Sequence, residues 1–400
     1  MTQPGKNGAN SLRGTLDGIR VADFSNNLAG PYAAMLLGDL GADVIKVERP
    51  QGGDDSRAQP PFWNGESVVY LTVNRNKRSI ALDLKDETDV ANARRLAETA
   101  DVVVQSFRPG VMDRLGLGYD AIKERNRRVV YVSISAFGEE GPGRDLPGYD
   151  PLVQAFTGLM NMTGEADGPP VRVAASITDL SAGLFSVIAT LAALRVRERT
   201  GEGTRIDVSL SDSLLAMMNH QVTTVIATGK APGRLGSASP IAAPYQAIRA
   251  QDGHIMVAAG NQSLWTRLAD AIGAPGLVDD PRFENVAKRV ANLPALVQEL
   301  EARTLKETVA HWVKQIGAAG VPCGPVNDLA DTLKDPIVTE RDVIAAVPGH
   351  PNVPDLALVD LPFRAGGKTL GGHRPAPTLG QHSAEILDEL AATANKERQQ

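Results

Sequence analysis

The sequence is short of the residues on which several large classes of chemistry depend. Among 400 residues there is one cysteine, Cys323. A single thiol excludes an internal disulfide and any multi-cysteine metal site. All six histidines (220, 254, 311, 350, 373 and 382) lie beyond residue 200. Any chemistry in the first half therefore falls to carboxylates, hydroxyls and backbone groups. No H-E-x-x-H and no G-x-S-x-G occurs, so the common zinc-peptidase and serine-hydrolase signatures are absent. Basic residues number 41 against 47 acidic, a net charge of -6. No basic surplus marks a nucleic-acid or anionic-membrane surface. The first residues carry no apolar signal core. The longest apolar-leaning run, Leu184 to Leu194, is far short of the ~20 residues of a spanning helix. A cytoplasmic protein without a membrane partner is the expectation, and residues 1–14 read as a polar, frayed terminus.

What is present is an ordinary globular composition, 42% hydrophobic and 22% charged, on a length that suits roughly two or three domains. From residue 19 a rhythm begins. Ile19–Phe24 reads as a strand. Gly30-Pro31 opens a helix that Gly41 stops, with proline in the first turn where its missing N–H costs nothing. Asp43–Glu48 is the next strand. Helix 86–99 precedes strand 102–105, and helix 120–126 precedes strand 129–134. This alternation predicts an α/β fold with a doubly wound, mostly parallel sheet. Ligands of such sheets sit beyond the carboxyl ends of the strands, which directs attention to 25–30, 48–55, 106–110 and 135–143. A long helix is expected from about Asp179 to Arg197, with Leu180, Leu184, Val187, Ile188, Leu191 and Leu194 as one buried stripe. A strand at 205–208 and helical sequence at 210–228 follow. Beyond a Gly/Ser/Pro-rich stretch, residues from about 245 to 330 read as a second domain.

Two glycine motifs carry little. Gly116-Leu117-Gly118-Tyr119-Asp120-Ala121 fits a dinucleotide fingerprint but follows no strand, so it reads as a turn before a helix. Gly366-Gly367-Lys368-Thr369 lacks the first glycine of a phosphate loop, because position 362 is proline. Asn74-Arg75-Asn76-Lys77-Arg78-Ser79 weighs more, with three cations in four residues. Alone it reads as a charge-protected edge strand. With Arg49, Arg108 and Arg114 at neighbouring strand ends it suits a polyphosphate ligand. Asp179 stands at the start of the long helix. An acid there complements the helix dipole, yet its small neighbours (Ala174, Ala175, Ser176, Ala182 and Gly183) leave space around the carboxylate.

These stretches resemble the class III CoA-transferases, the CaiB/BaiF family of formyl-CoA and carnitine CoA-transferases, to which α-methylacyl-CoA racemase is related. The resemblance rests on Leu28–Tyr32, Gly41–Pro50, Asn74–Ile80, Phe107–Met112, Gly148–Asp150, Thr178–Gly183, Thr200–Gly203, Asp280–Phe283 and Gly320–Val326, in order. It implies a Rossmann-like large domain formed by 15–215 with 340–400, a smaller α+β domain at 230–335, linkers at 216–229 and 336–350, and an interlocked homodimer. It implies transfer of CoA from an acyl-CoA to a small free carboxylic acid, with CoA as substrate and no tightly bound cofactor or metal. By matching position, Asp179 is the catalytic aspartate. Leu28, Ala29, Arg49, Val73, Asn74, Arg75, Asn76, Ser106, Phe107, Arg108, Arg114, Ser135, Ala136 and Phe137 line the CoA site.

An aspartate can exchange carboxylates on a thioester by forming an anhydride. The helix start would favour its ionised form by about 0.3–1 kcal/mol, so reactivity is expected from position rather than from a large pKa shift. Oxyanion donors are expected from that helix start or from residues 259–262. The glycine-rich lid of the formyl-CoA enzymes is represented here by Ala258-Ala259-Gly260-Asn261-Gln262. Leu28 replaces a family glutamine, and Ser135 a lysine. Tyr149 replaces the histidine of the racemase branch, removing one base of a two-base proton shuttle. An acyl-CoA racemase and a non-catalytic CoA-binding protein of the same fold are the alternative readings.

Overall fold

A computed structural model of the chain describes residues 12–397. Most of the stretch expected to be a frayed terminus, residues 1–11, lies outside the described residues. The chain divides into two compact units. One holds residues up to 157 together with 173–229 and 337 onwards; the other holds 158–172 and 230–336.

The large unit is built on six parallel strands: β1 (Arg20–Phe24), β2 (Asp43–Glu48), β3 (Lys77–Ala81), β4 (Val102–Gln105), β5 (Val130–Ser135) and β6 (Thr204–Ser209). Their spatial order is β3-β2-β1-β4-β5-β6. The chain winds outward from β1 in one direction, then returns to β4 on its other side. This is the doubly wound order, and its switch point lies between β1 and β4. Helices cover both faces, so the strands are apolar on both sides rather than alternating; Val102, Val103 and Val104 are all buried. One face packs on helices Ala29–Asp39 and Ile177–Thr200. The other packs on helices Glu87–Thr99, Tyr119–Arg125 and Ser383–Glu397.

The Ile177–Thr200 helix corrects two expectations. At 24 residues it is long and apolar enough, by length and composition, to cross a membrane. Its expected stripe is split: Val187 and Leu194 are buried, but small residues make up most of the buried face. Ser181, Ala182, Gly183, Ser186, Thr190 and Ala193 face inward, while Leu184 and Ile188 are 44% and 61% exposed. The reason is close packing on the Ala29–Asp39 helix. A Cβ on Gly183 would stand 2.8 Å from the Tyr32 ring and 3.0 Å from the Ala29 carbonyl. Small side chains let the two backbones approach; leucines there would hold them apart.

The 74–78 cations are neither on a solvated edge nor open to a ligand. Arg75 is buried, with Nε and Nη2 donating to the two Asp39 oxygens at 2.9 and 2.7 Å. Lys77 is buried against Asp23 at 2.8 Å. Arg78 pairs with Asp43, Glu385 and Glu389. The C-terminal segment covers this edge. His373 Nε2 lies 2.7 Å from Asp360 and its Nδ1 3.4 Å from Asp39.

The small unit is α+β. Antiparallel strands β7 (Tyr245–Arg249), β8 (His254–Ala258) and β9 (Cys323–Pro325) run in the order β9-β8-β7. With helices Gln262–Ala271, Leu293–Thr304 and Val309–Ala318 they enclose Trp265, Phe283 and Trp312. Residues 158–172, expected in the large domain, group with this unit: Gly236 N–H donates to Gly164 O at 2.8 Å, and Arg234 to Asn161 O at 3.1 Å. Most of the linker expected at 216–229 is helix Asn219–Thr228.

Candidate active site

The loops after β1, β4 and β5 enclose a cavity of about 300 Å³ at the switch point of the sheet. Its walls are laid down by short-range constraints. Ser25 Oγ and N–H both donate to Asp23, turning the chain out of β1. Gly30 lets the following helix start against that turn, since a Cβ there would stand 2.2 Å from Ser25 Cβ. Asn26 N–H donates to Ser106 Oγ at 2.9 Å, tying the β1 loop to the β4 loop. The Asn26 side chain exchanges hydrogen bonds with Asp55, donating at 2.6 Å and accepting from its N–H at 2.9 Å. Leu28, Ala29, Ser106, Phe107, Arg108, Ser135 and Ala136, all expected at the CoA site, line this cavity, and so does Asp179.

Asp179 sits in the first turn of its helix, half-buried, with no side-chain hydrogen bond among the described residues. Its neighbour Asp150 is the opposite case. Asp150 is buried, and Oδ1 accepts from the Thr178 N–H at 3.0 Å and the Thr178 hydroxyl at 2.8 Å. Its Oδ2 accepts from Gln154 Nε2 at 2.8 Å. Asp150 thus caps the helix that carries Asp179. Burial, with no compensating donor, and then the Asp150 charge push the Asp179 carboxyl up to about 7. This corrects the expectation of a near-ordinary carboxylate: desolvation outweighs the helix dipole.

A second cavity, about 350 Å³, opens beyond β2 and β3, with Phe107 common to both. Arg49 lines it, more than half exposed and ion-paired with Asp55. So do Leu82, Asp83, Leu84 and Lys85, which the sequence reading passed over. Val73, Asn74, Arg75 and Asn76, expected at the CoA site, lie apart from both cavities. All four are buried. Asn74 bonds Tyr70 O and Lys77, and Asn76 bonds Asp39 and Arg374. The residues that face outward begin six positions further on, after β3 has ended. Phe137 is also displaced: it packs edge-on against Phe156 at 5.0 Å rather than lining the cavity.

The cations that remain available lie elsewhere. Arg108 is exposed in the first cavity, its side chain making no hydrogen bond or ion pair among the described residues. Gly110, in the left-handed region at φ 79°, brings two more together: a Cβ there would stand 3.3 Å from Arg144 Nη2 and 3.5 Å from Arg114 Nη1. Arg144 lines the first cavity, its Nε donating to Glu139 O at 3.0 Å. It lies one residue past the strand-end loop marked in the sequence. No group of histidine, cysteine and carboxylate side chains among the described residues could hold a metal.

Arginines, and a carboxylate with no side-chain hydrogen bond among the described residues, line the switch point of the doubly wound sheet, an arrangement suited to a phosphate-bearing ligand. The chain belongs to CoA-transferase family III, whose sequence model matches residues 16–383. It is 41% identical over 386 residues to the acetyl-CoA:oxalate CoA-transferase of Acetobacter aceti, covering 96% of this chain and 98% of that one. It is 38% identical over 376 residues to the succinyl-CoA:glutarate CoA-transferase of Homo sapiens, covering 94% and 86%. Among solved structures it is similar to a CAIB/BAIF family protein from Brucella suis, with TM-score 0.86, 37% identity, and coverage of 94% and 99%. It is a CoA-transferase, moving CoA from an acyl-CoA to a free carboxylic acid.

Proposed function

We propose that this chain exchanges CoA between short dicarboxylic acids, with Asp179 as the nucleophile. The observation that carries the nucleophile is the contrast within one cavity. Asp55 is held by Asn26 and Arg49, whereas the Asp179 carboxylate has no hydrogen-bond partner among the described residues. The dicarboxylate reading draws on relatives whose names specify oxalate, glutarate and mesaconate.

The steps balance without an external acid or base. An Asp179 oxygen attacks the donor thioester carbonyl; the tetrahedral oxyanion collapses, the C–S bond breaks, and CoA thiolate leaves a mixed anhydride. The thiolate attacks the aspartyl carbonyl and expels the donor acid, giving an aspartyl-CoA thioester. The acceptor carboxylate attacks that carbonyl and displaces the thiolate, which then attacks the acceptor acyl carbon. Acyl-CoA and free Asp179 result. The aspartate must begin ionised, and burial pushes its carboxyl up to about 7, so its reactive form grows as pH rises through neutrality.

Negative charge that develops on the carbonyl oxygens needs donors. In the first turn, Thr178 N–H is committed to Asp150, and Leu180 N–H to Ser176 O. The Asp179 N–H has no backbone acceptor among the described residues and is the donor offered here. Of the 259–262 amides, Ala259 N–H is committed to Pro244 O. Arg108, Arg114 and Arg144 suit the CoA diphosphate, as charge-assisted donors. The cavity walled by Leu82, Leu84 and Phe107 suits the adenine.

Leu184 and Ile188 of the Ile177–Thr200 helix are exposed, as are Met217 and Ile226 of the helices that follow, 54% and 79% exposed. Their proposed cover is a second copy of the chain, because clustered exposed apolar side chains mark interfaces. Ile188→Glu should then yield monomer on size exclusion with light scattering; an unchanged elution would refute the dimer. The chemistry is tested by incubation with succinyl-CoA, hydroxylamine trapping and peptide mass spectrometry. Modification should fall on the peptide carrying Asp179 and vanish in Asp179→Asn. A turnover screen against mono- and dicarboxylates tests the acceptor class.

A further inference from the structure

Arg289 is a buried cation with no ion-pair partner among the described residues. It lies in helix Val286–Ala291 of the small unit and is fully buried. Three of its five N–H donors meet neutral acceptors. Nε donates to Ala243 O at 2.7 Å, and Nη1 to Gln262 Oε1 at 2.8 Å and Phe283 O at 2.9 Å. The remaining two donors, both on Nη2, are buried with no partner among the described residues. The Trp265 ring lies 5.4 Å from the guanidinium, and its buried Nε1 is likewise unpartnered.

Three acids nearby in sequence are committed to other cations. Glu284 pairs with Lys288, and Asp280 with Arg282. Glu299 pairs with Arg282 and Arg303. Burial alone acts on the guanidinium and lowers its affinity for its proton. A buried charge without a partner is costly, and arginine cannot escape by giving up its proton.

We infer that Nη2 of Arg289 anchors a buried site for one small monovalent anion, of halide or formate size, beside Trp265. An anion satisfies both the unpaired donors and the charge, whereas water satisfies only the donors. Complete burial of Arg289 and Trp265 restricts the occupant to a small ion. Gln262, which shares the guanidinium, ends the Ala258–Gln262 segment and begins its helix. The anion therefore fixes the root of that segment.

The test uses the full chain, exchanged into gluconate and titrated with chloride or bromide at constant ionic strength. Thermal unfolding should rise saturably with halide, as for a ligand that binds only the folded state. The rise should disappear in Arg289→Met and shrink in Trp265→Phe. Crystals soaked in bromide should show an anomalous peak within hydrogen-bond reach of Nη2. The inference is overturned if wild type shows no saturable halide effect, or if Arg289→Met shows the same one. A water, or a carboxylate of a second copy, found at Nη2 also overturns it. Should Arg289→Met fail to fold, the bromide crystal and Trp265→Phe decide the matter.

Discussion

Two groups of charges in the large unit are opposite in fate. Around β3, every charge has a partner: Arg75 with Asp39, Lys77 with Asp23, and Arg78 with Asp43, Glu385 and Glu389. At the switch point the charges are left open, with Asp179 lacking a hydrogen bond and Arg108 lacking an ion pair among the described residues. The first group holds the C-terminal segment to the sheet edge. The second is available to a ligand. Charge satisfaction, rather than charge density, separates the scaffold from the site.

The largest test of that contrast is Asp179→Asn. Loss of the nucleophile should reduce turnover by on the order of 10⁴–10⁶-fold, measured by following new CoA esters. The same substitution should stabilise the fold. A carboxyl raised above its unfolded value of about 3.9 binds its proton more tightly when folded, so stability falls as pH rises from there to about 7. The Asn variant lacks that loss and should be more stable than wild type at pH 8, by about 1–3 kcal/mol. The two should converge near pH 4 in urea titrations.

Arg75→Ala should behave in the reverse manner. Removing one partner of a buried pair leaves Asp39 with only Asn76 and His373 against it among the described residues, at a cost of about 3–5 kcal/mol of stability. CoA affinity of the folded fraction should be unchanged. If affinity falls while the urea midpoint stays, Arg75 belongs to the ligand site after all. Arg108→Ala should do what Arg75→Ala does not. It should weaken CoA binding by about 1–3 kcal/mol, the range for a charge-assisted hydrogen bond, with the urea midpoint held. Titration calorimetry with CoA separates the two variants.

The parallel sheet was legible because β-branched runs alternating with helices have few other solutions, and that topology puts ligands at the switch point. Strand ends marked the loops that carry Leu28, Ser106, Arg108 and Ser135, and the family resemblance picked those residues out of the loops. The 74–78 run misled because a line of cations reads as solvated; the acids that bury it, Asp39 and Glu389, are 36 and 311 positions away from Arg75 and Arg78. The helix stripe misled because hydrophobic periodicity shows which residues share a face, not which face meets the core. There, small residues made the tighter contact with the Ala29–Asp39 helix.

The smallest expected effect is also the most diagnostic, because it asks why Asp179 is left unsatisfied. Asp150 takes the Thr178 donors that an ionised Asp179 would otherwise use, and adds its own negative charge. Asp150→Asn keeps a carbonyl oxygen for Thr178 and removes the charge. Gln154 now donates to Asp150 Oδ2 and to Val173 O, and accepts from Val173 N–H. It faces the new amide with a donor, so a stability loss of about 1–2 kcal/mol should accompany the change. The catalytic signature is separate from that loss. With the neighbouring charge gone, Asp179 ionises at lower pH, and the acid limb of kcat/KM should move down from about 7. Burial, the larger cause, remains, so the limb should stop well short of an ordinary carboxylate; a move of about half to one pH unit corresponds to roughly 1 kcal/mol. An Asp150→Asn enzyme with the wild-type limb and a lower plateau would make Asp150 a helix cap alone. A limb that moves with the plateau retained assigns it control of when Asp179 becomes nucleophilic.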